Sequence, residues 1–231
     1  KKIMQNLISF DQYFKRISST TGWLKYDIYR KKNIKIFATE TEDIKRKYGD
    51  FYLFSSNYGT LDNEGLNYRI SLDKELIKFK NSKNTKNDYF TFKRSISDFE
   101  YLKKSIFKFL KKNPKFKLII RPHPADQPYK AWKVFEQFEN VKVIDKYDIV
   151  PWILSSKGLI HRGCSTSIDA YFLNKPIYYF LPKRKILNSE KNVCYRISKK
   201  IKSFDNIDDI RKKNNKTNFL ISKEIYLNKP A

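Results

Sequence analysis

Glycine, histidine, cysteine and methionine are all scarce in this sequence: six, two, two and one among 231 residues. Two cysteines, Cys164 and Cys194, are too few for a disulfide framework or a cysteine-rich zinc site. The few glycines form neither a Walker phosphate loop nor a dinucleotide fingerprint. No apolar run approaches the ~20 residues of a membrane-spanning helix. No secretory-leader pattern stands at the start, and this together with the cysteine count sets the expectation of a reducing, cytoplasmic setting. Gly163-Cys164-Ser165 lacks the nucleophile-elbow pattern of serine hydrolases. Cys164 reads as a small buried residue near a helix start rather than a nucleophile. Two histidines without an acidic pair beside them do not make a metal set, so no metal site is assigned.

Positive charge and aromatic rings are abundant. Lys and Arg number 49 against 24 Asp and Glu, a formal charge of +25, with 18 Phe and 16 Tyr. That aromatic content and a 40% hydrophobic fraction exclude a disordered chain. The charge has two readings: an anionic partner, or a lysine- and asparagine-rich composition with no specific target. The lysines are scattered rather than packed in one tract, which does not point to a specific nucleic-acid partner.

From Asp50 onward strand-like and helix-like segments alternate. FYLFSS, FKLIIR, VKVID, GLIH and IYYFLP are short apolar runs of strand length. QPYKAWKVFEQF, PWILSS and SIDAYFLN between them read as helices. A longer helix is expected from Ser97, where Ser97 and Glu100 form a capping-box pair ahead of Phe99, Leu102, Ile106 and Leu110. Asn113-Pro114 stops it. Such alternation predicts an α/β, Rossmann-like parallel sheet with helices on both faces. Residues 1–45 read as a lead-in, with Asp27 opening a short helix. Residues 46–231 read as the sheet domain, carrying a polar, mobile insertion at about 60–92. FDNIDDIRKK suggests one more helix near the end.

Both histidines close apolar runs. Ligands of open parallel sheets bind outside the carboxyl ends of the strands, which draws attention to these places. In IIRPHP, Pro122 and Pro124 hold His123 at one angle and end the strand, while Arg121 offers a forked cation for phosphate or carboxylate. In GLIHRGCSTS, the strand leaves through His161, Arg162 and Gly163 into a helix start at Ser165, Thr166 and Ser167. Such a start presents backbone amides to an anion, and it is equally an ordinary helix cap.

Taken as a set, TTGWLKYD, FYLFSSNYG, IIRPHP, VPWILSSKGLIHRGCSTSIDAYFLNKP and IYYFLP resemble the C-terminal, donor-binding domain of GT-B-fold glycosyltransferases. More narrowly, the set is similar to bacterial surface-polysaccharide biosynthesis proteins related to capsule and lipopolysaccharide transferases. The resemblance implies that His123 contacts the donor phosphate or aids departure of the leaving group. It implies that Ser165, Thr166 and Ser167 hold phosphate, with Arg121, His161, Arg162 and Gly163 beside them. Asp169, where relatives often carry Glu, would sit close to the ribose. The stretch Asp148 to Trp152 would lie close to the nucleobase, and Asn57 and Gly59 would face the acceptor cleft. The reaction implied is transfer of a sugar from a nucleotide-sugar, with CMP-linked acidic sugars as the suggested donors. The acceptor would be a polysaccharide or lipid-linked precursor, at the inner face of the cytoplasmic membrane. Neither a metal ion nor a cofactor is called for, because Arg121, a protonatable His123 and fixed amide dipoles can meet the charge growing on the departing nucleotide. The resemblance, with Lys1 in first place, also sets the expectation that an acceptor-binding domain precedes this chain and that the chain alone binds nucleotide without transferring sugar. Two alternatives stay open: a polyol-phosphate transferase of teichoic-acid type on the same fold, and a non-catalytic module that binds polyanions.

Overall fold

A computed structural model describes residues 24–30, 32–58, 83–123, 130–144, 146 and 148–207. The chain divides into two units, residues 1–36 and 37–231. In the first, Leu24–Tyr29 forms a 3-10 helix, and a second such turn begins at Ile34. Asp27 lies within the first turn, where its carboxylate meets Arg30 at 2.8 Å and its carbonyl accepts from the Asn33 amide at 2.8 Å.

The second unit is built on six strands: β1 (Tyr52–Ser55), β2 (Leu118–Arg121), β3 (Val141–Val143), β4 (Leu159–His161), β5 (Ile177–Phe180) and β6 (Lys199–Ile201). Every neighbouring pair is parallel, in the order β3-β2-β1-β4-β5-β6. The fold is therefore an α/β, Rossmann-like sheet flanked by helices, as the alternation of segments predicts. The helices are α1 (Ala38–Tyr48), α2 (Lys83–Lys112), α3 (Lys130–Lys133), α4 (Ile149–Ser155), α5 (Thr166–Phe172) and α6 (Val193–Ile197). A 3-10 turn, Val134–Gln137, follows α3, so KAWKVFEQ is two short pieces rather than one helix. Among the described residues no helix is long and apolar enough to cross a membrane.

Residues of the four inner strands β2, β1, β4 and β5 alternate between two cores, which is why those strands are mainly apolar. Leu53, Ile119, Leu159 and Ile177 face one core together with Ile44 of α1 and Trp152 and Ile153 of α4. Tyr52, Phe54, Leu118, Ile120, Ile160, Tyr178 and Phe180 face the other, against Phe99, Leu102, Ile106 and Phe109 of α2. Each fully buried Leu, Ile or Phe contributes about 1.5–3 kcal/mol relative to exposure.

Helix α2 departs from the sequence expectation. It begins at Lys83, so Ser97 and Glu100 lie in its interior and form no capping box. No glycine or proline interrupts Lys83–Lys112, and neither serine nor threonine forbids a helix interior. The backbone of 83–92, expected within the polar insertion, is thus helical; residues 59–82 lie outside the described residues. Helix α1 runs across residue 45, and β6 is a strand beyond those read from the sequence. Of FDNIDDIRKK, only Phe204 to Ile207 is described.

Candidate functional site

In this strand order the connections run opposite ways from β1 and β4, which lie side by side. That pair is the topological switch point, the place outside the carboxyl ends of the strands where open parallel sheets take their ligands. In register across the sheet, Arg121, Ser55, His161 and Tyr179 form one transverse row at this end.

The exits of β1 and β4 are tied together. The exposed Asn57 donates through Nδ2 to the Arg162 carbonyl at 3.2 Å. Gly163 has φ +86°, and a Cβ there would stand 3.3 Å from Asn57 Nδ2, so glycine suits both the turn and the approach. Thr166 Oγ1 lies 3.0 Å from both Ser55 Oγ and Cys164 Sγ. Ser165 is exposed and Thr166 half-buried, whereas Ser167 is buried and donates to the Cys164 carbonyl at 2.7 Å. Asp169 is also buried, in the first turn of α5.

The two histidines have opposite surroundings. His123 is exposed just past the end of β2. His161 has no exposed surface. Its Nδ1 accepts the Gly163 and Cys164 amides, both at 3.1 Å. The ring proton therefore sits on Nε2 and is donated to Ser198 Oγ at 2.8 Å, which in turn donates to the Cys194 carbonyl at 2.6 Å. Burial, with Arg162 adding to it, lowers the pKa of this imidazole to about 3. The Gly163 and Cys164 amides, just ahead of the helix start, are thus held by His161, which braces the turn from inside.

Arg121 is committed in the same way. Its Nη1 donates to the carbonyls of Lys146 at 2.9 Å and Asp148 at 3.4 Å, and its guanidinium lies 5.7 Å from the centre of the Trp152 ring. Asp148 caps α4, accepting the Val150 amide at 3.0 Å. Trp152 is buried in the core and donates through Nε1 to the Lys146 carbonyl. Arg121, Asp148 and Trp152 are brought together, as one structure ordering the β3–α4 connection. Gly59 lies outside the described residues.

Arg162 is turned to the α2 side of the sheet. Its Nη1 donates to the Tyr179 hydroxyl and its Nη2 to Asp98 at 3.1 Å and Glu190 at 2.9 Å. Arg184 reaches the same two carboxylates, at 2.6 Å and 2.7 Å. Two cations and two anions thereby close a neutral, largely buried network that fastens α2 to the ends of β4 and β5. Burial works to raise the Glu190 pKa, but bonds from Arg184, the Leu187 amide and Arg162 prevail and hold it at about 2. The Tyr58 hydroxyl, packed beside Phe99, is pushed well up by burial, with Asp98 and Tyr179 adding to it against the pull of Arg162. Tyr58 Oη and Arg162 Nε are buried without a hydrogen-bond partner among the described residues.

Asp98, Tyr179, Arg184 and Glu190 escaped the sequence reading, and no local signal marks them. Asp98 and Arg162 meet only because α2 lies across the sheet. Asn-Lys-Pro after α5 also has a structural use. Asn174 takes the left-handed conformation at φ 54°, and Lys175 then donates to the Leu154 and Ser156 carbonyls at the end of α4, at 2.7 and 3.0 Å.

Among the described residues, Asn57, His123 and Ser165 are exposed at the carboxyl ends of β1, β2 and β4, beside the half-buried Gly163 and Thr166. This end presents an imidazole, an amide and the Ser165 hydroxyl on a braced turn, with the Thr166 hydroxyl directed to Ser55 and Cys164, a set suited to the oxygens of a polar or anionic ligand. Neither a protein-family model nor a curated protein matches the chain.

Proposed function

We propose that this chain is the donor-binding part of a glycosyltransferase that moves a sugar from a nucleotide-sugar to a bacterial surface polysaccharide or its lipid-linked precursor. The observation that carries the reading is the switch point between β1 and β4, where outward-facing polar groups gather at the ends of adjacent parallel strands. This is where open α/β sheets take nucleotides. The resemblance of IIRPHP and GLIHRGCSTSIDAYFLNKP to donor domains supports the same assignment.

Within this reading His123 is the catalytic residue. Its ring N–H donates to the phosphate oxygen on which charge grows as the glycosidic bond to the nucleotide breaks. Ser165 and Thr166 hydroxyls bind the phosphate, and Asn57 stands at the acceptor side. Arg121, His161, Arg162 and Asp148 are positioning residues, fixing the two loops that carry those groups. The charge of +25 favours residence near anionic lipid, where a lipid-linked acceptor would be met.

The test is a titration of the chain with CMP, CDP, UDP and GDP, beside His123→Ala, at low and moderate salt. Saturable preference for one nucleotide is expected, weakened about tenfold in the variant, the worth of one charge-assisted hydrogen bond. Equal binding of every nucleotide, erased by salt and untouched by the substitution, would overturn the reading in favour of charge alone.

A further inference from the structure

A concavity lies at the amino end of the sheet, opposite the candidate site. It has a volume of about 480 Å³ and is walled by Lys112, Lys115, Lys117, Lys157, Asp50 and Phe116. These belong to the α2–β2 connection and to the residues leading into β1 and β4. Nothing in the nucleotide reading uses this end.

Its charge is one-sided. Four lysines meet a single carboxylate, and that carboxylate is already engaged, Asp50 lying 2.6 Å from Lys157. A cleft lined by one sign over an apolar, low-dielectric floor focuses the field into itself and gathers counter-ions there. The floor is aromatic: the half-buried Phe116 stacks on Tyr52, with ring centres 4.9 Å apart and planes within 3°, and meets Phe109 edge-on at 4.8 Å.

The site is also formed in advance. Lys117 donates to the Tyr48 carbonyl at 3.3 Å, and the ion pair with Asp50 fixes Lys157. The loop between α2 and β2 is held by its own Asn113–Phe116 turn, at 3.0 Å. The Asn140 side-chain amide, which donates to the Phe116 carbonyl at 2.5 Å, secures it from the next strand. The cavity's volume lies in the range of small-molecule sites, about 300–1,000 Å³, and the half-buried Phe116 ring stands among its lysines.

We infer that this amino-end cavity is a binding site for an anionic sugar unit, one that carries a carboxylate or a phosphate. The lysine ammonium groups supply separate, rotatable donors for an acid group and its neighbouring hydroxyls, where a planar arginine fork would select a single bidentate partner. The aromatic floor accepts the C–H face of a sugar ring. Carboxylate and phosphate sugars share this chemistry, and the site stands whether or not a nucleotide occupies the other end of the sheet.

The experiment is calorimetric titration of the whole chain with glucuronate, a hexose phosphate, glucose and inorganic phosphate, with and without saturating CMP. The partner protein is Lys115→Gln with Lys117→Gln; both side chains are exposed, and thermal melting checks that the fold is kept. A control neutralises Lys199 and Lys200 at the far edge. The expected result is saturable binding of at least one charged sugar, at least tenfold tighter than glucose or inorganic phosphate. It should weaken fivefold or more in the cavity variant, remain in the far-edge control, and be indifferent to CMP. Preference for glucuronate over the hexose phosphate, or the reverse, names the acid group. Three results would each overturn the inference: inorganic phosphate binding as tightly as the charged sugars, equal loss in both lysine variants, or displacement by CMP. Failure of CMP to bind at all would bear on the nucleotide reading alone.

Discussion

Acidification should weaken the turn after β4, because His161 is held neutral with its protonated form excluded. In the folded protein the Nδ1 position accepts two amides and the pKa is about 3, against an ordinary value of 6.5. Below about pH 6.5 the unfolded chain binds a proton that the folded chain refuses, so stability falls as pH falls, by up to ~1.4 kcal/mol per unit. The contribution is complete above the ordinary value and is lost progressively down to pH about 3. Between about pH 7.5 and 5.5 the loss amounts to about 1.4 kcal/mol, and a similar amount follows over the next unit. Urea unfolding followed by the fluorescence of the buried Trp132 and Trp152 would read it, in a His123→Gln background that leaves a single imidazole. In that background His161→Asn keeps an acceptor near the Nδ1 position but cannot take up the proton. It should be less stable at neutral pH, through loss of the bond to Ser198, and should not share the slope. The reasoning fails if the parent shows no slope across this window, or if His161→Asn retains it.

Removing one member of the buried ion network should be expensive. Asp98→Asn leaves Arg162 and Arg184 with Glu190 as their one shared carboxylate among the described residues and should cost about 3–5 kcal/mol in urea unfolding, with Arg184→Gln costing less because Arg184 is more exposed. Gly163→Ala should cost about 1–2 kcal/mol for the strained backbone at φ +86°. In the same protein, nucleotide affinity should fall, as the added carbon presses on Asn57; unchanged stability in unfolding curves would contradict the strain.

Strands were the most legible part of the fold, for a physical reason. A parallel strand buried on both faces must be apolar at successive positions, so YLFS, LIIR, LIH and IYYF announce themselves between turn residues. Edge strand β6 reads Lys-Lys-Ile and carries no such signal, because only one of its three residues is buried. Helix α1 was equally silent: ATETEDIKRKY sends only Ile44 fully into the core, too little for a stripe. The ends of β2 and β4 could be located from sequence, but not the direction in which their side chains are used. His123 and His161 look alike in sequence, each closing an apolar run beside an arginine. The sheet leaves the first outside and seals the second beneath Ser198. Arg121 and Arg162 likewise read as ligand forks, and both are taken by partners that chain folding brings from elsewhere: the Lys146 and Asp148 carbonyls, and Asp98 with Glu190.

The sheet ends on both sides in lysine-bearing strands, Val-Lys-Val at β3 and Lys-Lys-Ile at β6. A terminal strand is a template for another chain, and its danger grows with flatness and apolar character. Two copies approaching side to side would bring ammonium groups together before any backbone bond could form between them. Charged side chains on edge strands are a common means of blunting such pairing, and lysine stands at both of these borders. Among the described residues, a sheet rich in Phe, Tyr and Ile is thus bordered on each side by a strand less apolar than those within.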